Sequence, residues 1–166
     1  VGPDRNPNHA DPANWRSSLR PDGTPGYSDG LSYPAWKLLH GIVSDDEDGD
    51  GDGLTSVAEY AHGTHPSLPD ADLAALRLSL APISPGGAVD MYVLADFQFR
   101  LAADDAQARL EQSVDLTTGA WHSGAGFLDY VGEEVRPDGT GTRYYRTHLP
   151  AAAYSNLFLR LAIPLP

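Results

Sequence analysis

The chain has 166 residues, no cysteine and a formal net charge of −12. The lack of cysteine excludes disulfides and thiolate metal sites. The acidic balance argues against binding to nucleic acid or to anionic membranes, because contacts with phosphate need a basic face. No apolar run is long enough to cross a bilayer. No signal peptide begins at Val1, so we expect the chain to be a mature or trimmed piece of a longer precursor.

Residues 1–30 are rich in Pro, Gly, Asn and Asp and have no sustained apolar period, which predicts extended or looped structure. The segment from Asp11 to Arg16, followed by Gly-Thr-Pro-Gly at 23–26, resembles the last strands of bacterial lamin-tail domains. That resemblance implies that most of such a domain lies upstream. The alternative is a proline-rich linker whose Trp15 docks on a neighbouring module. The residues alone leave both interpretations open.

A short helix is predicted between Ser32 and Gly41. Ser32 is a suitable N-cap, Pro34 is tolerated in the first turn, and Gly41 can end the helix. Trp36 and Leu39 recur at helical spacing and form an apolar face. We expect this face to belong to the core.

The stretch from Asp48 to Glu59 has the ligand order of a twelve-position calcium loop. Calcium prefers six to eight oxygen ligands, and alternate residues of a tightly curled loop can direct their oxygens inward together. Gly53, at position 6, permits a backbone conformation that a Cβ would hinder. The predicted ligands, at positions 1, 3, 5, 7 (backbone carbonyl), 9 (directly or through water) and 12, are Asp48, Asp50, Asp52, Leu54, Ser56 and Glu59.

An acidic, glycine-rich linker in solvent is the competing interpretation. The full set of ligand positions favours the calcium loop, as does a helical pattern from Thr55 to His62 that Gly63 would end. Two features depart from a paired EF-hand: Thr55 replaces the branched aliphatic residue of position 8, and residues 41–47 lack the pattern of an entering helix. The segment therefore resembles the half EF-hands of dockerin-type and thrombospondin type 3 repeats. We expect a structural calcium staple rather than a sensor.

The segment from Asp48 to Pro66 also resembles a motif of the form DxDGDGLxxxxEYxxGTDP, frequent near the C-termini of large secreted proteins of Verrucomicrobia and Planctomycetes. His65 stands where the motif has Asp, which argues against a second calcium site. The resemblance implies a secreted, multi-domain, surface-associated setting rather than a reaction. Extracellular calcium would also saturate a weak site of about 10⁻⁴–10⁻³ M, which cytosolic calcium would not.

From residue 70 onward the pattern changes from helical to alternating. Six or seven strands are predicted, with turns about 8–12 residues apart, which is typical of an antiparallel sandwich or barrel. A phase slip near Ala95 and Asp96 predicts a β-bulge. The predicted fold is mainly β, an antiparallel β-sandwich preceded by a short helix–calcium loop–helix segment. Its predicted parts are residues 1–30 (linker or lamin-tail-like), 31–69 (helix–calcium loop–helix) and 70–166 (β-sandwich).

The β part resembles the modules that follow the calcium motif in those bacterial proteins. Such modules carry a Val-Glu-Ser-x-Asp-Leu-x-x-Trp segment, which Leu110 to Leu116 with Trp121 matches loosely. They also have an Arg-Leu strand near the end, which the segment from Phe158 to Leu161 matches. This resemblance again implies an extracellular structural module.

No catalytic constellation stands out in the sequence. Glu133 and Glu134 are adjacent on a predicted strand, so they face opposite sides and cannot act as a glycosidase pair. His62 and His65 form an H-x-x-H pair, but zinc would need further ligands in a fixed geometry. We expect these histidines to be solvated or capping residues. The chain is therefore predicted not to be an enzyme.

Carbohydrate binding is the alternative function, because exposed rings on a β-sandwich can stack on sugars. The candidate residues are Trp121, Tyr130, Tyr144 and Tyr145. Tyr144 and Tyr145 are consecutive, so one of them should be exposed if both lie in a strand. The leading prediction is a calcium-stabilised C-terminal module of a secreted or cell-surface protein. Its expected partners are calcium and either neighbouring domains of the precursor or a cell-surface polysaccharide.

Overall fold

The protein is described by a computed structural model that covers residues 30–84 and 87–164. In these ranges the chain is mainly β, with six strands in antiparallel sheets and two short α-helices. The elements are α1 (Tyr33–His40), α2 (Ser56–His62), β1 (Arg77–Ile83), β2 (Asp90–Arg100), β3 (Arg109–Ser113), β4 (Leu128–Val135), β5 (Thr140–Thr147) and β6 (Phe158–Ala162). The lamin-tail and linker interpretations fall on residues 1–29 and lie outside the described residues.

Helix α1 lies within its predicted limits but is capped differently. Ser32 occupies the N-cap position, yet its side chain makes no capping hydrogen bond. The Tyr33 N–H instead donates to the Asp105 carboxylate at 2.7 Å. Gly41 follows the helix with φ 70°, a left-handed conformation that favours glycine. The start of α1 is thus fixed by a residue from the β part of the chain.

The larger sheet has the strand order β1-β2-β5-β4, and β3 and β6 form a second sheet of two strands. Every pairing is antiparallel. The predicted bulge in β2 is wrong, because β2 pairs with β1 and β5 without a register shift. The irregularity lies in β4 instead, between Tyr130 and Gly132.

The alternation of apolar and polar residues breaks in β2 for a different reason. Both faces of the second half of the strand are buried. Phe97 and Phe99 on one face belong to the main core. Gln98 on the other face is hydrogen bonded to His62 of α2. A strand covered on two sides does not need strict alternation of apolar and polar residues.

Side chains from both sheets share one apolar core. Leu159 and Leu161 of β6 pack against buried residues of the larger sheet and of β3. The buried members are Ala95, Phe97, Phe99, Leu101, Ala108, Leu110 and Leu128. Full burial of a Phe or Leu side chain contributes about 1.5–3 kcal/mol, so this core stabilises the pairing of the sheets.

A second apolar cluster joins the helices to the β part. Its buried members are Tyr33, Trp36, Val57, Tyr60, Ala103 and Ala106. Leu39, predicted to share the buried face with Trp36, is 70 % exposed instead. The rings of Trp36 and Tyr60 lie 5.6 Å apart. The Tyr60 hydroxyl donates to the Asp105 carboxylate at 2.6 Å. The helices are too short to be stable alone, and these contacts with the segment after β2 hold them in place.

Candidate metal centre

The loop between the helices brings three predicted ligands together. Asp48, Asp50 and Asp52 each offer a carboxylate oxygen, and these oxygens all lie within 4.8 Å of one another. Gly51 and Gly53 have φ values of 78° and 95°, which lets the chain curl tightly between the aspartates. Three carboxylates at this separation repel one another in the absence of a cation.

Backbone amides of the loop hold each aspartate in position. Asp48 accepts hydrogen bonds from the N–H groups of Gly51 and Gly53 at 2.8 and 3.1 Å. Asp50 accepts from the Asp52 N–H at 3.1 Å, and Asp52 from the Leu54 N–H at 2.9 Å. Asp50 and Asp52 each accept from the amide two residues on, as in an Asx-turn, whereas Asp48 accepts from amides three and five residues on.

Glu59 is the most informative residue of the site. It lies on α2 and is only 1 % exposed. Neither of its carboxylate oxygens has a hydrogen-bond partner among the described residues, and the same holds for Asp50 Oδ2. Buried polar atoms are almost always paired, because an unpaired one costs free energy. A cation held between Glu59 and the aspartates would supply the missing partner.

Electrostatics around Glu59 point to the same conclusion. Desolvation by burial, followed by the charges of Asp50, Asp52, Asp70 and Asp48, raises the pKa of Glu59 from 4.5 to about 7. Both causes disfavour the carboxylate form, and a bound divalent cation would offset both. The set of oxygen donors suits a hard cation better than a softer metal.

Two of the predicted ligands, Leu54 and Ser56, make hydrogen bonds within the chain that do not by themselves indicate a metal. The Ser56 hydroxyl donates to the Glu47 carbonyl oxygen at 2.8 Å, and the Ser56 N–H donates to the same oxygen. This pair ties the start of α2 to the residue just before the loop. Leu54 lies at the end of the loop, where its N–H is bound to Asp52. The coordination by the Leu54 carbonyl and by Ser56 stays a prediction.

Asp70 is a residue of this region that the sequence pattern did not reveal. Its N–H donates to Asp52 Oδ2 at 2.9 Å, and its own carboxylate accepts from the His65 N–H at 3.2 Å. A Cβ on Gly49 would lie 2.7 Å from the Pro66 carbonyl oxygen, so the segment after α2 crosses close to the loop. Asp70 lies outside the twelve positions, and no spacing rule marks it.

The acidic residues before the loop serve other contacts. Asp45 accepts from Lys37 Nζ at 2.6 Å and from the Tyr33 hydroxyl at 3.1 Å. These hydrogen bonds, with the Lys37 charge, hold the pKa of Asp45 below its usual value. Glu47 accepts from the Val43 N–H at 3.1 Å. Asp45 therefore anchors the loop to α1.

The two histidines are not brought together. The expectation that His62 is solvated or capping is wrong: its ring is buried, and Nδ1 donates to the Gln98 carbonyl oxygen at 2.7 Å. His65 instead meets His40, with ring centroids 5.5 Å apart. His62 is buried because α2 packs across β2, a contact that the helical pattern alone did not indicate.

The four candidate sugar-binding residues are distributed over different surroundings. Tyr130 and Tyr145 are paired across β4 and β5, and Tyr145 stacks on Phe97 of the core. Tyr144, which precedes Tyr145 in β5, is 37 % exposed. Trp121 is covered by the Arg160 guanidinium, 4.0 Å from the ring centroid. Tyr130 and Tyr145 thus contribute to packing, and the carbohydrate hypothesis stays a prediction.

No family model, curated protein or solved structure matches the chain. Among residues 30–84 and 87–164, no helix is long and apolar enough to cross a membrane.

Proposed function

We propose that this chain is a calcium-binding, calcium-stabilised structural and adhesive module of a secreted or cell-surface bacterial protein. In this proposal the β part is an antiparallel sandwich, and the preceding loop is a half EF-hand. Calcium would be held by the three loop aspartates and by Glu59, with the Leu54 carbonyl and Ser56 completing the shell. Calcium binds such carboxylate and carbonyl oxygens at about 2.3–2.6 Å.

The observation that supports this proposal most is the buried Glu59 carboxylate, whose two oxygens have no partner in the described part of the chain. Calcium would neutralise it and would link α2 to the loop. Because α2 also packs on α1 and β2, a metal bound there would stabilise the joint between the helical segment and the sheet. The role is mechanical, since metal binding is coupled to folding of the loop.

The test is a calorimetric calcium titration of chelator-treated protein, with thermal unfolding measured with and without the metal. We expect one site and a raised melting temperature, with magnesium at equal concentration giving a smaller effect because it requires near-ideal octahedral geometry. Asp50→Asn should weaken binding, and Asp72→Asn, at an exposed position outside the loop, is the matched control. No binding at about 1–10 mM calcium would refute the proposal.

A further inference from the structure

A cavity of about 360 Å³ lies between α1, the turn after α2 and the β4–β5 hairpin. Trp36 and Leu39 of α1 form an apolar wall. Arg100, at the end of β2, and Thr64, in the turn after α2, contribute polar groups. The volume falls in the range of small-molecule sites, about 300–1,000 Å³.

The Arg100 guanidinium brings a positive charge to this cavity. It lies 5.2 Å from the centroid of the Tyr60 ring, and within the described ranges no carboxylate forms an ion pair with it. Desolvation by burial lowers the pKa of Arg100. The charge of Asp105 acts on the guanidinium from a distance and offsets part of the cost of burial. Desolvation of a charge is costly unless the charge is directly paired, so a carboxylate in the cavity would stabilise Arg100 further.

Thr64 supplies a second unsatisfied group to the same cavity. The residue is only 6 % exposed, and its hydroxyl oxygen has no hydrogen-bond partner in the part of the chain that the structure describes. Its N–H is already used, because it donates to the Glu59 carbonyl oxygen and closes α2. The hydroxyl oxygen itself has almost no accessible surface, so a ligand in the cavity would reach it only after a rotation of the Thr64 side chain; an acceptor there would then satisfy the hydroxyl.

Two imidazoles and one carboxylate complete the polar lining. His40 and His65 meet edge to face, and His65 Nδ1 accepts from the Ser67 N–H, which leaves Nε2 to carry the proton in the neutral ring. The lining carboxylate, Asp138, already accepts from the Thr140 N–H and hydroxyl at 2.9 and 2.7 Å. The groups left without partners are therefore donors, which favours an anionic ligand.

We propose that this cavity binds a small organic monocarboxylate. Its carboxylate would pair with the Arg100 guanidinium in a bidentate geometry and accept a hydrogen bond from the Thr64 hydroxyl. Its apolar group would lie against Trp36 and Leu39. Arg suits this role because its planar fork matches a carboxylate. This site is separate from the calcium proposal, because none of its lining residues is a predicted metal ligand.

The test uses the full chain in excess calcium and benzoate as the probe, with benzamide as the neutral analogue. Binding is followed by calorimetry and by chemical-shift changes at the Trp36 indole. We expect benzoate to bind with a Kd of about 1 mM or tighter and benzamide to bind much more weakly. Arg100→Met should weaken benzoate binding about 10- to 100-fold, whereas Arg77→Met, on the exposed edge strand, should leave it unchanged.

Thr64→Val provides a second variant that retains the volume of the side chain. It should weaken benzoate binding while raising, or leaving unchanged, the melting temperature, because it removes an unpaired buried hydroxyl. Equal affinity for benzoate and benzamide, or unaltered benzoate affinity in both Arg100→Met and Thr64→Val, would overturn the proposal. So would binding of inorganic phosphate in the absence of benzoate binding, since that outcome would indicate an inorganic-anion site.

Discussion

Glu59 is buried within electrostatic reach of Asp50, and within the described ranges three of the four oxygens of these two carboxylates accept no hydrogen bond. Both residues are held by their surroundings: Glu59 by packing of α2, and Asp50 by the Asp52 N–H. Two like charges in this arrangement are unfavourable until a cation lies between them. Both calcium binding and protonation of Glu59 would therefore relieve this repulsion.

Substitution of Glu59 by Gln should have opposite effects with and without calcium. In the metal-free protein at pH 8 we expect a higher melting temperature, because the variant removes a buried charge. Calcium affinity should fall about 10- to 100-fold, since a ligand that can bind through two oxygens is lost. Thermal unfolding and calorimetry measure the two effects, and Glu134→Gln, in β4, is the control. Equal calcium affinity in wild type and variant would exclude Glu59 as a ligand.

The raised pKa of Glu59 predicts a pH dependence of the metal-free protein. The pKa is about 7 in the folded chain and 4.5 as the ordinary value. The folded state therefore binds the proton more tightly, and this contribution to stability is complete below pH 4.5 and lost as the pH rises through 7. We expect the free energy of unfolding to fall more steeply with pH in the wild type than in Glu59→Gln between pH 4.5 and 8. Denaturant unfolding of both proteins measures this difference. His62, whose pKa is lowered by burial, is present in both proteins, so its contribution cancels in the comparison.

Calcium binding should release a proton from Glu59 when the pH is below about 7. The affinity should rise with pH across the interval from 4.5 to 7, because the carboxylate must be deprotonated to bind the metal. Calorimetric titrations at pH 6 in buffers of different ionisation enthalpy measure the number of protons released. If the binding enthalpy were the same in all buffers, no proton would be released, and this would contradict a buried, protonated Glu59.

Substitution of Asp70 by Asn should weaken calcium binding about two- to tenfold. The Asp70 N–H donates to Asp52, and this hydrogen bond is kept in the variant. The Asp70 carboxylate contributes negative charge near Glu59. Removing that charge lowers the electrostatic attraction for a cation by about 1 kcal/mol. The matched control is Asp72→Asn, two residues further along and exposed. If both variants lowered the affinity equally, the effect would reflect only the net charge of the chain.

Substitution of Gln98 by Ala should weaken the attachment of α2 to β2. The Gln98 side chain donates to the His62 carbonyl oxygen at 3.0 Å, and this contact is buried. Leaving that carbonyl unpaired costs about 1–3 kcal/mol. We expect this loss in denaturant unfolding, and a smaller effect of calcium on the melting temperature of the sheet. Thr118→Ala, in the exposed turn after β3, is the control; an equal loss of stability there would contradict the argument.

Much of the local structure could be predicted from the residues because its causes are local. The change to an alternating pattern at residue 70 predicts the strands, and Pro34 and Gly41 predict the limits of α1. The spacing of Asp48, Asp50 and Asp52 brings the three carboxylates together, since a curled loop with glycines allows little else. These features depend on periods and turn chemistry within a dozen residues.

Tertiary structure decided the features that depend on pairing between distant segments. The packing of α2 across β2 buries His62 against Gln98 and removes the alternation that suggested a bulge. The segment after α2 brings Asp70 to the loop, and the end of β2 places Arg100 near Thr64. The sequence alone determined the strands, the helices and the spacing of the acidic residues in the loop. Long-range packing decided which of these groups are buried, which are paired and which have no partner among the described residues. Local spacing does not encode such packing.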